Sequence, residues 1–138
     1  MSNLKNWNQY EEGLHVEWPF YFSMEQINFF AELSGDHHPI HTDTEYAKSK
    51  GFKAPLVYGL LLATQISRLI GQELPDKNAM LISVQMDFIL PCYPEDKLTF
   101  GADLINKSDA THSLEFKCCI LMGRKTMCRG LVSAVWRP

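Results

Sequence analysis

The sequence predicts an α+β protein: a single domain in which a curved antiparallel β-sheet wraps around a central buried α-helix. Three observations lead there. Residues 59–71 are apolar around most of a helical circumference. After Pro75 the apolar residues change from a helical period to alternation, and four such stretches follow one another. A sheet with one apolar face has to cover that face, and the apolar helix is the available cover.

Composition sets the outer bounds. A chain of 138 residues is one ordinary domain, long enough to bury a core. With 46% hydrophobic and 21% charged residues it has a globular rather than a disordered profile. The net charge of −3 and the scattered basic residues give no nucleic-acid footprint and no patch for an anionic membrane. Residues 1–12 form a polar N-terminal segment without the apolar centre of a signal peptide, and the folded domain is expected over 13–138. No apolar run approaches the roughly 18–20 residues that span a bilayer. Cys92, Cys118, Cys119 and Cys128 contain no Cys-x-x-Cys pair, and adjacent Cys118 and Cys119 on a strand point to opposite faces. That spacing suits neither a disulfide framework nor a zinc site, so reduced cysteines in a cytoplasmic protein are expected.

In chain order, residues 13–22 form an opening strand interrupted by Pro19. Ser23, with Gln26 three residues on, makes a capping box for a helix over 24–34, whose apolar stripe is Ile27, Phe30, Ala31 and Leu33. Thr42 or Asp43 caps a short second helix that ends near Gly51, and Pro55 keeps 52–58 irregular. In the apolar helix, Thr64 and Arg68 share a narrow polar strip, while Ser67 sits close to the apolar side and needs a hydrogen-bond partner there. Met80, Ile82, Val84, Met86, Phe88 and Leu90 alternate with polar residues, predicting a strand with one buried face and Met80 and Met86 in the core. Gln85, on that strand's polar face, is expected to be solvated or to pair at an edge. Leu98–Leu104, Leu114–Met122 and 125–136 are the next strands, joined by turns at 107–110 and 123–124. His15 and His112 are expected on strand surfaces. This arrangement is the hot-dog fold, whose exposed sheet edges pair readily between copies.

The stretch from Ser34 to Asp43 organises the chain. It sets Asp36 and His41 on a short loop pinned by Gly35 and Pro39, and Gly59 follows at the head of the apolar helix. Such residues also make ordinary turns. A stiff loop carrying a carboxylate and an imidazole nevertheless suits activation of a water molecule. His37, His38 and His41 are not at helical i, i+4 spacing and no array of carboxylates accompanies them, so no metal is expected.

Ser34-Gly35-Asp36-His37-His38-Pro39-Ile40-His41-Thr42-Asp43 resembles the hydratase motif of the MaoC-like, or R-specific, enoyl-CoA hydratases. Tyr46-Ala47, Val57-Tyr58-Gly59-Leu60-Leu61, Gly71-Gln72-Glu73-Leu74-Pro75 and Phe88-Ile89-Leu90-Pro91 continue the resemblance in order, over about 13–136. The resemblance implies a hydro-lyase without a cofactor that reversibly hydrates a 2-enoyl thioester, on coenzyme A or an acyl carrier protein, to the (R)-3-hydroxyacyl product. It implies that Asp36 and His41 activate the water, that the Gly59 backbone N–H binds the thioester carbonyl, and that Ser67 supports the pair. It also implies a homodimer. The chemistry is sound on its own terms: a base for water, a proton for the α-carbon, and a donor for the enolate oxygen. Two positions depart from the family: His38 stands where asparagine is usual and Tyr58 where histidine is usual. Both side chains still form hydrogen bonds, so they join the supporting residues. They also motivate two other readings, a hot-dog thioesterase and a non-catalytic acyl-thioester binding protein.

Overall fold

The structure is a computed structural model and describes residues 6–138. Five antiparallel strands, β1 (His15–Phe20), β2 (Ala79–Phe88), β3 (Leu98–Ser108), β4 (Ser113–Met122) and β5 (Lys125–Trp136), form one sheet in the order β1-β3-β4-β5-β2. The helices all precede β2: α1 (Met24–Ser34), α2 (Thr44–Ser49), α3 (Gly59–Leu62) and α4 (Thr64–Arg68), with a 3₁₀ turn at Pro39–His41 and a π-helical turn at Leu69–Glu73. The hot-dog arrangement expected from the sequence is present.

Alternation produces the core. Leu98, Phe100, Ala102 and Leu104 on β3 and Leu114, Phe116, Cys118 and Ile120 on β4 are all buried on one side of the sheet. They enclose Leu61, Leu62, Ile66, Leu69 and Ile70 of the helical segment. The pairing slips by one residue at Ile82, Ile105 and Met127, and such bulges bend and twist the sheet around the helix. Gly130 allows β2 its close approach to β5, because a Cβ there would lie 2.1 Å from the Gln85 carbonyl oxygen.

Several expectations need correction. Pro19 does not interrupt β1: it lies inside the strand, opposite Thr99, which is tolerated because β1 is an edge. The central helix is not one rod. Thr64 Oγ1 donates to the Leu61 carbonyl at 2.5 Å, and the first turn closes at Ala63. Its surface is not all apolar contact either, since Leu60 is exposed, and Leu33 of α1 is exposed too. Ser67 points away from the core and is exposed. On β2 the bulge at Ile82 breaks the alternation. Leu81 pairs with Ala134 on one side of it and Val84 with Val132 on the other, so Met80 and Val84 do not share a face. Met80, Ile82, Val84 and Phe88 are all exposed, because β2 is an outer strand of the sheet. The turn expected at 107–110 forms two residues later, at 109–112, which takes His112 off the strand surface. The four cysteines are free, with Cys92, Cys118 and Cys128 buried.

Residues 6–12 pack onto the domain. Trp7 and Tyr10 are buried against Trp136 and the half-buried His112. Asp76 ties this end together, accepting from Tyr10 Oη at 2.6 Å and from Trp136 Nε1 at 2.9 Å. The backbone N–H of Asn78 donates to it as well. Burial pushes the Asp76 carboxyl up, but these hydrogen bonds outweigh it and hold the pKa below the ordinary value. Replacing Asp76 with alanine leaves a fully buried phenol without its acceptor. The expected cost is roughly 2–3 kcal/mol in urea denaturation at neutral pH. Because the native pKa is lowered, this stabilisation is present above the ordinary aspartate value of 3.8 and is lost as the pH falls through the native pKa, so the two proteins converge in acid.

Candidate active site

The loop after α1 is held by its own side chains. Gly35 closes the helix in the left-handed conformation, φ 80°, with its N–H on the Ala31 carbonyl. Ser34 Oγ accepts from the Asp36 N–H at 3.1 Å, and Asp36 Oδ1 accepts from the His38 N–H at 3.0 Å. His38 Nδ1 in turn accepts from the Ile40 N–H at 3.1 Å, capping the 3₁₀ turn that carries His41. An asparagine carbonyl would supply the same acceptor, so His38 keeps the capping function with a different side chain. His37 faces solvent, 3.8 Å from Glu32.

His41 is oriented from behind. Its Nδ1 lies 2.7 Å from the Leu56 carbonyl oxygen, and a carbonyl only accepts, so Nδ1 carries the proton. Nε2 is therefore the nitrogen left for a ligand. The Leu56 N–H is bound to the Ile40 carbonyl at 3.0 Å, which straps the 52–58 segment to the turn below His41.

Tyr58 joins the two halves of the loop. Its ring stacks on the His41 imidazole, with centroids 3.8 Å apart and planes at 22°. Its hydroxyl donates to the backbone carbonyl of Asp36 at 2.5 Å, and its other flank meets Phe30. Burial first, and then the Asp36 charge, raise its pKa, so the phenol stays a neutral donor.

Two cavities meet at this point. One, of about 370 Å³, is lined by Ser34, Asp36, His41, Tyr58, Gly59 and Phe88, with Phe30 and Leu60 at its sides. The other, of about 400 Å³, is apolar apart from His41 and runs along Leu56, Leu62 and residues 88–92. Asp36, His41, Tyr58 and Gly59 are thus brought together, while His38 lies behind them as a cap and lines neither cavity. Gly59 opens α3, where first-turn N–H groups have no partner within the helix. Ser67 also lines neither cavity. Gln85 instead borders a separate surface groove with Asp87 and Arg129. Sequence reasoning missed two contributors. The Leu56 carbonyl carries no signal in sequence, and Phe88, at a strand end inside a recognised motif, had one. Among the described residues no group of three or more His, Cys, Asp or Glu side chains is placed to hold a metal ion. No helix among them is long and apolar enough to cross a membrane.

A carboxylate and an imidazole set at the head of the central helix of a hot-dog domain define the class of protein. The chain belongs to the MaoC-like domain family, whose model matches residues 6–117. It is 37% identical over 78 residues to the (R)-specific enoyl-CoA hydratase of Aeromonas caviae, a match covering 56% of this chain and 58% of that enzyme. It is 36% identical over 77 residues to the mitochondrial 3-hydroxyacyl-[acyl-carrier-protein] dehydratase of Arabidopsis thaliana, covering 56% of this chain and 45% of that one. The chain therefore matches about half the length of these relatives. A solved structure of the (R)-hydratase from A. caviae involved in PHA biosynthesis superposes with a TM-score of 0.88 at 26% identity, over 93% of this chain and 98% of that one.

The brace predicts a graded response to substitution. Tyr58→Phe removes one hydrogen bond and is expected to cost about 1 kcal/mol. Tyr58→Ala also removes the ring and is expected to cost roughly 3–5 kcal/mol, both read by urea denaturation. Long-range ¹H–¹⁵N NMR of His41 is expected to show the Nδ1–H tautomer in the wild type and in Tyr58→Phe.

Proposed function

We propose that this protein reversibly adds water to the double bond of a 2-enoyl thioester, carried by coenzyme A or an acyl carrier protein, giving the (R)-3-hydroxyacyl thioester. The observation that carries the reading is the cavity shared by Asp36, His41 and Gly59, with His41 Nδ1 taken up by the Leu56 carbonyl so that Nε2 is the nitrogen left for a ligand. Water bound between the carboxylate and the imidazole loses a proton as its oxygen bonds to C3. The π electrons move toward the carbonyl, and C2 receives a proton. Asp36 and His41 divide these two transfers. The negative charge that develops on the thioester oxygen meets the Gly59 N–H, at a helix start where the dipole favours it. No electrons enter or leave, so no redox partner is needed. The (R) configuration follows from the likeness to the (R)-specific relatives.

Tyr58 and His38 serve as positioning residues. They hold the ring of one partner and the backbone of the other, which explains how the departures from the usual motif fit retained activity. Ser67, exposed on α4, has no contact here that favours the supporting role the resemblance gave it.

A homodimer through β2 is part of the proposal. The strand has a free edge beyond its pairing with β5, and Met80, Leu81, Ile82, Val84 and Phe88 leave it apolar and exposed. A second copy of the same edge would extend the sheet and cover these side chains. A cytoplasmic setting fits the free cysteines.

Hydration of crotonyl-CoA, followed by loss of enoyl absorbance, tests the chemistry. Asp36→Asn and His41→Ala are each expected to lower the rate by about 10² or more. Release of free thiol would establish a thioesterase instead, and neither signal on any chain length would leave an acyl-thioester binder. For the dimer, Ile82→Lys is expected to halve the particle mass in analytical ultracentrifugation. A wild type that sediments as a monomer would overturn that part.

A further inference from the structure

Phe88 occupies an unusual position between the two cavities. It lines both of them, together with His41 and Gly59. Its ring rests on the Gly59 α-carbon so closely that a Cβ added there would lie 3.0–3.2 Å from three ring atoms. The ring therefore sits against the residue whose N–H would hold the thioester carbonyl, at the junction of the polar and the apolar cavity.

Its backbone is held in place by the sheet. Phe88 ends β2, in register with Cys128, and the next two N–H groups, of Ile89 and Leu90, both donate to the Met127 carbonyl. The ring itself is 50% exposed.

Their linings differ in kind. The cavity with Asp36, Ser34 and Tyr58 carries the polar groups needed at the reacting carbons. The other is lined by Phe52, Leu56, Val57, Leu62, Leu90 and Cys92, a surface for hydrocarbon and a poor one for the amides of a pantetheine arm. At about 370 and 400 Å³ each lies low in the range of roughly 300–1,000 Å³ usual for ligand sites, and joined they fall within it.

We propose that the Phe88 ring is the partition between these cavities and the residue that sets acyl-chain length: short chains are handled on the polar side of the ring, and longer ones pass it into the apolar cavity. This rests on the thioester reading above.

Binding of two non-reacting probes, butanoyl-CoA and octanoyl-CoA, tests it by calorimetry on the wild type, Phe88→Leu and Phe88→Trp. Phe88→Leu is expected to shift the affinity ratio toward octanoyl-CoA by about tenfold or more, since a few methylene contacts in an apolar pocket carry that much discrimination. Phe88→Trp is expected to shift it toward butanoyl-CoA, and it reads the proposal alone if the leucine variant does not fold. A ratio unchanged in the variants that fold would overturn the partition, and so would a wild type that binds neither probe. A shifted ratio in a protein that turns over no enoyl-CoA keeps the partition while the hydratase reading fails.

Discussion

Burial of residues 59–73 against the concave face of β3, β4 and β5 is the contact from which the rest of the molecule is arranged. Ile66, Leu69 and Ile70 are buried in one apolar cluster with Phe100, Phe116 and Ile120 of the sheet. Ile27 and Ala31 of α1 join the same cluster. Their union places Gly59, at the head of the helix, beside the end of β2. The functional loop is attached to that head. The Leu56 N–H donates to the Ile40 carbonyl and the Val57 N–H to the Cys92 carbonyl, which straps it down.

Inside that frame, the candidate site is braced mostly by groups that do not face a ligand. The Leu56 carbonyl selects the tautomer of His41. His38 caps the turn beneath it, and Tyr58 stacks on the ring while holding the Asp36 backbone. Fixing side chains in advance removes a reorganisation cost from ligand binding, and these contacts let a loop so exposed to solvent present ordered groups. The two departures from the usual motif lie within this bracing, where a different side chain can supply an equivalent acceptor or packing surface.

The apolar outer edge sits oddly with a single chain in water. β3 and β5 each expose one large apolar side chain, Ile105 and Leu131, whereas β2 displays a run of them beside the cavity mouth, where Leu60 is also exposed. An edge of this composition is a surface awaiting cover, and its closeness to Phe88 and Gly59 means that whatever covers it adjoins the site.

Much was determined by the sequence alone, wherever the cause is short-range. The Ser23–Gln26 capping box set the start of α1, Asp43 capped α2, and Gly35 closed α1 in the left-handed conformation. Alternation in β3 and β4 marked the buried face residue by residue. The order of motifs from Ser34 to Pro91 indicated the family, and with it Asp36, His41 and Gly59. Tertiary structure decided what depends on neighbours far along the chain. A bulge inserts one residue without a mark in composition, so the face of Met80 could not be read from its spacing. An outer strand and an inner one carry the same alternation, and only the sheet order separates them. The same holds for Ser67, whose helix position looked close to the apolar side until the break at Thr64 and the packing of α4 turned it to solvent. It holds too for the Leu56 carbonyl and the ring of Phe88: both reach the site through backbone hydrogen bonds and contacts that exist only once the sheet has closed around the helix.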